Sequence, residues 1–265
     1  MAGKIIDMHQ HLINANTPDA LAETYGRLGV EKALLVGVPP TQIPGDNEAV
    51  LAATRKYPKL FLGLVGFDLD TMSPAELPRF HDEGFIGVKF IGPAKAYNDP
   101  SYFPVYEKAA ELRMITLFHL GIVANSGPWR GCDSNLMRPI HLDYIARKIP
   151  ELTVIGAHLG NPWSDEAAMS CRWNPNLFFD LSGSLLKYRS PQYLAELLWW
   201  TPTSAYKSPD RTDAWQKILF GSDVPTDSIA DVIKDYEKLM DGINMRPELR
   251  EAVWYGTAAK LLGLK

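Results

Sequence analysis

The sequence predicts an α/β protein, a single (β/α)8 TIM barrel with a parallel eight-stranded core over residues 1–265. The length of 265 residues is close to the roughly 250 that one such barrel needs. Eight short apolar segments recur along the chain, and helix-like segments lie between them. This alternation of strands and helices, in a chain of this length, favours a closed parallel barrel.

The eight predicted strands are nearly continuous in apolar residues, as strands covered on both faces should be. They recur at intervals of roughly 30 residues, the length that a βαβ unit needs. The strands begin near Ile5, Ala33, Leu60, Ile86, Met114, Leu152, Leu177 and Lys217.

Several intervals between strands carry helix-start signals. Thr17 and Ser73 each stand directly before a proline that fits the first turn of a helix, and Asp99 does the same. The stretch 247–264 predicts a terminal helix with Gly263 near its end.

The two longest intervals follow the fifth and the seventh predicted strands. We expect them to contain extra loops, at about residues 122–138 and 200–215. Both loops are predicted to lie over the C-terminal mouth of the barrel, where barrel enzymes build their active sites.

Composition and charge exclude several classes of protein. With 46% hydrophobic and 22% charged residues, the chain is not dominated by disorder, collagen or coiled coil. A net charge of −4 does not favour nucleic acid or an anionic membrane as a partner. No apolar run approaches the roughly 18 residues of a membrane span, and the first residues lack the apolar region of a signal peptide. Cys132 and Cys171 cannot form a disulfide framework, so we expect a cytoplasmic protein.

Metal-binding residue types gather at the predicted C-terminal ends of the strands. Strands one, five and six carry four of the six histidines there, and strand eight ends with an aspartate: His9, His11, His119, His158 and Asp223. Since His9 and His11 are two residues apart, they project to the same side of a strand. Both imidazoles can then reach one cation at about 2.0–2.1 Å, the usual zinc–nitrogen distance.

A single buried histidine is more often a core residue than a ligand. Five ligand-type residues on these particular strand ends are much harder to obtain from packing alone. The sequence therefore predicts a metal site. His81 and His141 fall in predicted helices or loops, and we interpret them as surface or capping residues.

Five motifs in this order resemble the amidohydrolase superfamily. They are IDMHQHL near the start, GVKF at 87–90, LFHLG at 117–121, GAHLG at 156–160 and LFGSDVP at 219–225. The chain most closely resembles the amidohydrolase-2 branch, which includes the aminocarboxymuconate-semialdehyde decarboxylase-like enzymes. The resemblance spans nearly the whole chain. It implies a metal-dependent barrel enzyme and permits a homo-oligomer.

The resemblance also implies ligand sets. In the mononuclear arrangement one divalent ion, first of all Zn2+, is bound by His9, His11, His119 and Asp223. His158 then acts on the substrate as a proton donor or electrophile. In the binuclear arrangement a carboxylated Lys89 bridges two ions, and His119 and His158 hold the second one. We favour one ion with Lys89 as a nearby cation or substrate-binding group.

A bound divalent ion lowers the pKa of water from ~15.7 to about 7 and thereby creates a nucleophile. Asp223 could take the proton and pass it to the leaving group, and His158 could stabilise the oxyanion. These roles predict hydrolysis of a small carboxylate-bearing amide or lactone. The alternative is a metal-dependent, non-oxidative decarboxylase of a cyclic or unsaturated carboxylic acid. A non-catalytic metal-binding barrel and a metal-free lactonase remain further alternatives.

Residues near the predicted mouth are candidates for contacts with a small anionic substrate: Lys89, Arg130, Arg138, Tyr97 and Trp163. The cationic side chains can form ion pairs with a carboxylate, and the aromatic rings can pack against a flat molecule. The alternatives are solvated surface charges and ordinary loop packing. No P-loop, G-x-S-x-G elbow or strand-linked GxGxxG occurs, so nothing supports nucleotide binding or a serine nucleophile.

Overall fold

The computed structural model describes residues 4–12 and 16–264, and it confirms the predicted TIM barrel. Eight strands form one sheet in sequence order, and each pairs in parallel with the next. The strands are β1 Ile5–Gln10, β2 Val30–Val36, β3 Phe61–Gly66, β4 Gly87–Phe90, β5 Ile115–Phe118, β6 Val154–Gly156, β7 Leu177–Asp180 and β8 Ile218–Leu219. The first and last strands meet where the Met8 N–H of β1 donates to the carbonyl of Phe220, directly after β8, at 2.9 Å. This contact closes the barrel.

Helices fill the intervals between the strands. They are α1 Pro18–Leu28, α2 Asp46–Lys56, α3 Leu77–Glu83, α4 Phe103–Glu111, α5 Ile140–Lys148, α6 Ser164–Trp173, α7 Leu185–Tyr188, α8 Pro191–Leu197, α9 Ile229–Gly242, α10 Pro247–Glu251 and α11 Thr257–Leu261. The predicted capping residue Thr17 begins α1, because its Oγ1 accepts from Ala20 N–H at 3.2 Å. Within residues 4–12 and 16–264, no helix combines the length and apolar character needed to cross a membrane.

Apolar side chains pack on both faces of the sheet, as the continuous apolar strands predict. On β4, Val88 and Phe90 belong to the large core that packs the sheet against the helices. The intervening Lys89 points the other way, into the barrel, where it meets His9. Alternation along a strand therefore leaves a polar group inside the barrel next to the histidines.

The long loop 122–138 lies on the C-terminal side of the barrel, as predicted. It follows β5, and Ile122 N–H donates to the carbonyl of Asn161, in the loop after β6, at 3.1 Å. Trp129 Nε1 donates to Gln42 Oε1, beyond the end of β2, at 3.0 Å. The loop thus spans the ends of several strands.

The prediction that residues 200–215 cover the same mouth is wrong. This segment follows α8 and leads into β8, and connections from a helix to a strand lie at the N-terminal ends of the strands. Asp210 Oδ2 accordingly lies 3.5 Å from Nζ of Lys217, the residue before β8. Arg172, in the last turn of α6, also donates to the Tyr206 carbonyl from this side.

Candidate metal centre

The histidine pair lies at the end of β1, with His9 on the strand and His11 directly after its last residue, Gln10. The pairing register between β1 and β2 shifts between Asp7 and Gln10, and an irregularity of this kind re-aims the side chains around it. His9 Nε2 lies 3.2 Å from His11 Nε2, and both residues are buried. Two ring nitrogens that face each other at this distance can share one cation.

Asp223 reaches the pair from the loop after β8. The sequence predicts that Asp223 ends the eighth strand, and this is corrected: the strand ends at Leu219, and Asp223 lies in the loop beyond it. Its φ is +47°, a left-handed conformation that Asp tolerates better than most residues. Its N–H donates to the His9 carbonyl at 2.8 Å. Asp223 Oδ1 lies 3.7 Å from His11 Nε2 and 4.0 Å from His9 Nε2, which makes these three residues a candidate metal group.

Asp7 ties β1 to the loop that carries Asp223. Its Oδ1 accepts from His9 N–H at 3.1 Å and from Ser222 N–H at 3.0 Å. Its Oδ2 accepts from Tyr25 Oη at 2.7 Å and from Ser222 Oγ at 2.5 Å. Burial raises the pKa of the Asp7 carboxyl to about 6, although these four donors favour the charged form. The two segments that supply the metal-binding groups are therefore fixed to each other.

Lys89 lies beside the histidine pair. Its side chain is 1% exposed, and Nζ is 3.3 Å from His9 Nε2. Burial lowers the pKa of Lys89 to about 8, while the carboxylates of Asp223 and Asp180 act in the opposite direction. A neutral amine is thus accessible near physiological pH, which is the form that carboxylation of a lysine requires.

His119 and His158 lie next to this group, and the His158 ring centroid is 5.5 Å from that of His9. His158 Nε2 lies 3.7 Å from Asp223 Oδ2 and 3.3 Å from His119 Nδ1. The backbone of His158 is left-handed, with φ of +61°, a strained conformation that is common at functional sites. Among the residues that the structure describes, the buried His119 Nε2 has no hydrogen-bond partner. His158 therefore lies next to Asp223. His119 lies next to His158, with its Nδ1 facing the His158 ring.

Protonation of these groups suits a metal ion. Burial lowers the pKa of His11 to about 3, lowers that of His119 well below its usual value, and lowers that of His158. Burial alone would raise the pKa of Asp223, but His9, His11, His158 and Lys89 hold it below its usual range. Neutral imidazoles and an ionised carboxylate are the forms that bind Zn2+ and related ions.

Asp180 is a residue of this centre that the sequence analysis missed. It is the last residue of β7 and is fully buried, and its Oδ2 lies 3.0 Å from His9 Nδ1. Its Oδ1 accepts from the backbone N–H groups of His158 at 2.9 Å and Ser182 at 3.0 Å. Although His9, His158 and Asp180 are close enough to hold a cation, two N–H donors already point at Asp180. The signal was an acidic residue ending an apolar strand.

Comparison with known proteins decides the family. The sequence matches the family described as Amidohydrolase over residues 6–264. The chain belongs to the amidohydrolase family. This confirms the resemblance carried by the five motifs. No curated protein gives a significant match to the chain.

Solved structures share the fold of this chain at low identity. An uncharacterised TIM-barrel protein from Bordetella bronchiseptica has a TM-score of 0.75 and 20% identity, and the match covers 98% of both chains. A probable 2-pyrone-4,6-dicarboxylic acid hydrolase from Acinetobacter baumannii, with citric acid bound, has a TM-score of 0.68, 16% identity and 100% coverage of both. The 5-carboxyvanillate decarboxylase LigW from Sphingomonas paucimobilis has a TM-score of 0.68, 14% identity and 99% coverage of both. These likenesses show the fold and leave the reaction open.

The arginines predicted at the mouth of the barrel differ in their surroundings. Arg138 forms an ion pair with Glu166 of α6 and stacks on Trp163 at 5.0 Å. Arg138 and Trp163 thus fasten the loop before α5 to the start of α6. Arg130 lies on the exposed part of the loop after β5, so its guanidinium is the more accessible of the two for a ligand.

Tyr97 does not line the mouth. It is fully buried, and its Oη lies 3.1 Å from the carbonyl oxygens of both Phe90 and His119. Its ring packs on Phe118 with centroids 5.0 Å apart, in the core behind the strands. The sequence expectation of a substrate contact is corrected, because Tyr97 holds the ends of β4 and β5 from the helix side.

Tyr97→Phe is expected to lower the free energy of unfolding by about 1–3 kcal/mol, the cost of leaving the buried His119 carbonyl without the tyrosine hydroxyl. The Phe90 carbonyl still accepts from the His119 N–H at 2.9 Å. Urea unfolding measures this change, with Tyr144→Phe on the exposed face of α5 as the matched control. A raised KM at unchanged stability would instead support direct contact with substrate.

Proposed function

We propose that this member of the amidohydrolase family is a metal-dependent hydrolase of a small carboxylate-bearing amide or lactone. The proposal is carried by the convergence of His9 Nε2, His11 Nε2 and Asp223 Oδ1, which lie within 4.0 Å of one another. The donor set of neutral imidazoles and one carboxylate fits Zn2+, and it also accepts other divalent ions. These three residues would hold one ion, with His119 as the fourth ligand that the family resemblance implies.

The chain's own residues supply the proton chemistry. When bound, a divalent ion supplies Lewis acidity and makes water a nucleophile near neutral pH. The Asp223 side chain is 26% exposed and open to water, whereas Asp180 is fully buried. Asp223 accepts a proton from the attacking water and then donates it to the leaving group. His158 Nε2, near Asp223 Oδ2, shares this proton, and Lys89 supplies positive charge for the developing oxyanion.

Decarboxylation of a cyclic or unsaturated carboxylic acid is the alternative reaction. The solved neighbours include a probable pyrone-dicarboxylic acid hydrolase and a carboxyvanillate decarboxylase, so both chemistries occur on this fold. The access of water to Asp223 favours hydrolysis, because hydrolysis needs a proton acceptor beside the attacking water. Decarboxylation needs a proton donor beside a carbon atom.

A panel of carboxylate-bearing lactones, amides and unsaturated acids tests the reaction with the Zn2+-loaded and Mn2+-loaded protein. In water labelled with oxygen-18, hydrolysis incorporates one solvent oxygen into the product and releases no carbon dioxide. Release of carbon dioxide without incorporation supports decarboxylation. Turnover that survives complete removal of metal overturns the proposal in favour of a metal-free lactonase, and metal binding without turnover favours a non-catalytic barrel.

Arg130 is proposed to grip the substrate carboxylate from the loop 122–138. Arg130→Met is expected to raise KM by roughly tenfold or more with little change in kcat, because a hydrogen bond to a charged group contributes about 1.5–3 kcal/mol. Steady-state kinetics measure both parameters. Arg147→Met, on the outer face of α5 and paired with Asp143, is the control and should leave KM unchanged. An unaltered KM in Arg130→Met would remove the proposed role.

A further inference from the structure

We infer that Asp180 and Ser182 are positioning residues that fix the ring protons of His9 and His158 on Nδ1, so that both rings present a bare Nε2 to the centre. The inference deepens the proposed function of the same site and rests on it for the catalytic consequence. The hydrogen-bond assignment itself depends only on the arrangement of donors and acceptors around Asp180.

The two oxygens of the Asp180 carboxylate form hydrogen bonds with different partners. Oδ1 receives the N–H groups of His158 and Ser182, and also Ser182 Oγ at 2.5 Å. Oδ2 faces His9 Nδ1 at 3.0 Å. An ionised carboxylate can only accept hydrogen bonds, so His9 Nδ1 must carry the proton. His9 Nε2, which faces His11 Nε2 at 3.2 Å and Lys89 Nζ at 3.3 Å, then carries no proton and has the lone pair that a metal ion needs.

Ser182 extends the assignment to the second histidine. A serine hydroxyl has one proton, and the short contact to Asp180 Oδ1 uses it. Ser182 Oγ can therefore only accept from His158 Nδ1, which lies 2.8 Å away. His158 Nδ1 carries the proton. Its Nε2 carries none and faces His119 Nδ1 at 3.3 Å and Asp223 Oδ2 at 3.7 Å.

The backbone around this pair is shaped to bring the His158 ring onto Ser182. His158 is left-handed, and so is Gly183, with φ of +81°. A Cβ on Gly183 would lie 3.1 Å from His158 Nδ1, tighter than ordinary packing, so glycine allows the close approach. The left-handed His158 and the absence of a side chain at Gly183 thus both favour this hydrogen bond.

The inference revises the role expected of His158. A neutral ring with a bare Nε2 cannot donate a proton from that atom to the substrate. His158 must first accept a proton, from water or from Asp223, before it can protonate anything. Asp180 and Ser182 thereby determine that His158 Nε2 acts first as a proton acceptor and only then as a proton donor.

The test is a long-range 1H–15N NMR correlation on the full chain with 15N-labelled histidine, after removal of metal and without substrate. We expect His9 and His158 both as Nδ1–H tautomers. In Asp180→Asn, the amide oxygen must face the two backbone N–H groups, so the NH2 group faces His9 Nδ1. We therefore expect His9 to change to the Nε2–H tautomer, and the affinity for Zn2+ to fall by about 10- to 100-fold.

Ser182→Ala is expected to release the His158 tautomer and leave His9 as Nδ1–H. Ser184→Ala, in the same loop, is the matched control and should change neither ring. His9 as Nε2–H in the unaltered protein, or as Nδ1–H in Asp180→Asn, would overturn the inference. If Asp180→Asn does not fold, the unaltered protein and Ser182→Ala decide. Because the readout needs neither metal nor substrate, it stands or fails independently of the hydrolase proposal.

Discussion

Asp223→Asn is expected to lower kcat by roughly 10²- to 10⁴-fold, the usual contribution of a positioned proton acceptor. The amide cannot take a proton from water, and its NH2 group would present hydrogen atoms to the region between His11 Nε2 and His158 Nε2. The substitution is nearly isosteric, and Asn tolerates the left-handed backbone at this position as well as Asp does. Steady-state kinetics on the hydrolysed substrate, with metal content measured on the same sample, give the result.

The control for this prediction is Asp227→Asn. Asp227 is exposed and lies four residues after Asp223, in the short helical turn 226–228 that leads into α9. The kcat of Asp227→Asn should equal that of the unaltered protein. In the absence of metal, both variants should keep the thermal unfolding midpoint of the metal-free unaltered protein. If Asp223→Asn keeps near-normal kcat with metal bound, Asp223 is not the proton acceptor and the proposed mechanism is wrong.

The strand order was predictable from sequence because buried parallel strands leave a strong signal. All eight apolar segments form strands near their expected starts. The length of an interval between two strands does not show which end of the barrel its loop covers, and for this reason the prediction for loop 200–215 was wrong. The direction of the connection decides which face a loop covers, and this segment runs from a helix into a strand.

The site was predictable only in part. His9 and His11 are two residues apart at the end of a strand. This spacing alone predicts that both bind one cation. Asp180 has no such partner in sequence, and its role depends on His9 and His158 approaching from other strands. For Tyr97, an aromatic residue in a loop after a strand can pack either over the mouth or behind the strands. Sequence pattern does not separate these two cases.

Removal of the metal is expected to abolish turnover and to lower the thermal unfolding midpoint. A ligand present at about 1,000 times its dissociation constant stabilises the folded state by roughly 4 kcal/mol. For a chain of this size each kcal/mol corresponds to about 2–4 °C, so the midpoint should fall by roughly 8–16 °C. Chelation followed by titration with Zn2+ measures both effects and counts the ions. Recovery at one equivalent supports the mononuclear site, and recovery at two, with carbon dioxide bound to Lys89, supports the bridged one.

His11→Gln distinguishes this centre from adventitious metal binding. His11 supplies one of the three convergent donor atoms, so its loss should weaken Zn2+ binding by at least 10²-fold and remove the Zn2+-dependent rise in the unfolding midpoint. His81→Gln, an exposed histidine on α3, should leave that rise intact. Equal metal-dependent stabilisation in the two variants would mean that the ion binds elsewhere. The convergence of His9, His11 and Asp223 would then be a packing arrangement, and hydrolysis would need a different nucleophile.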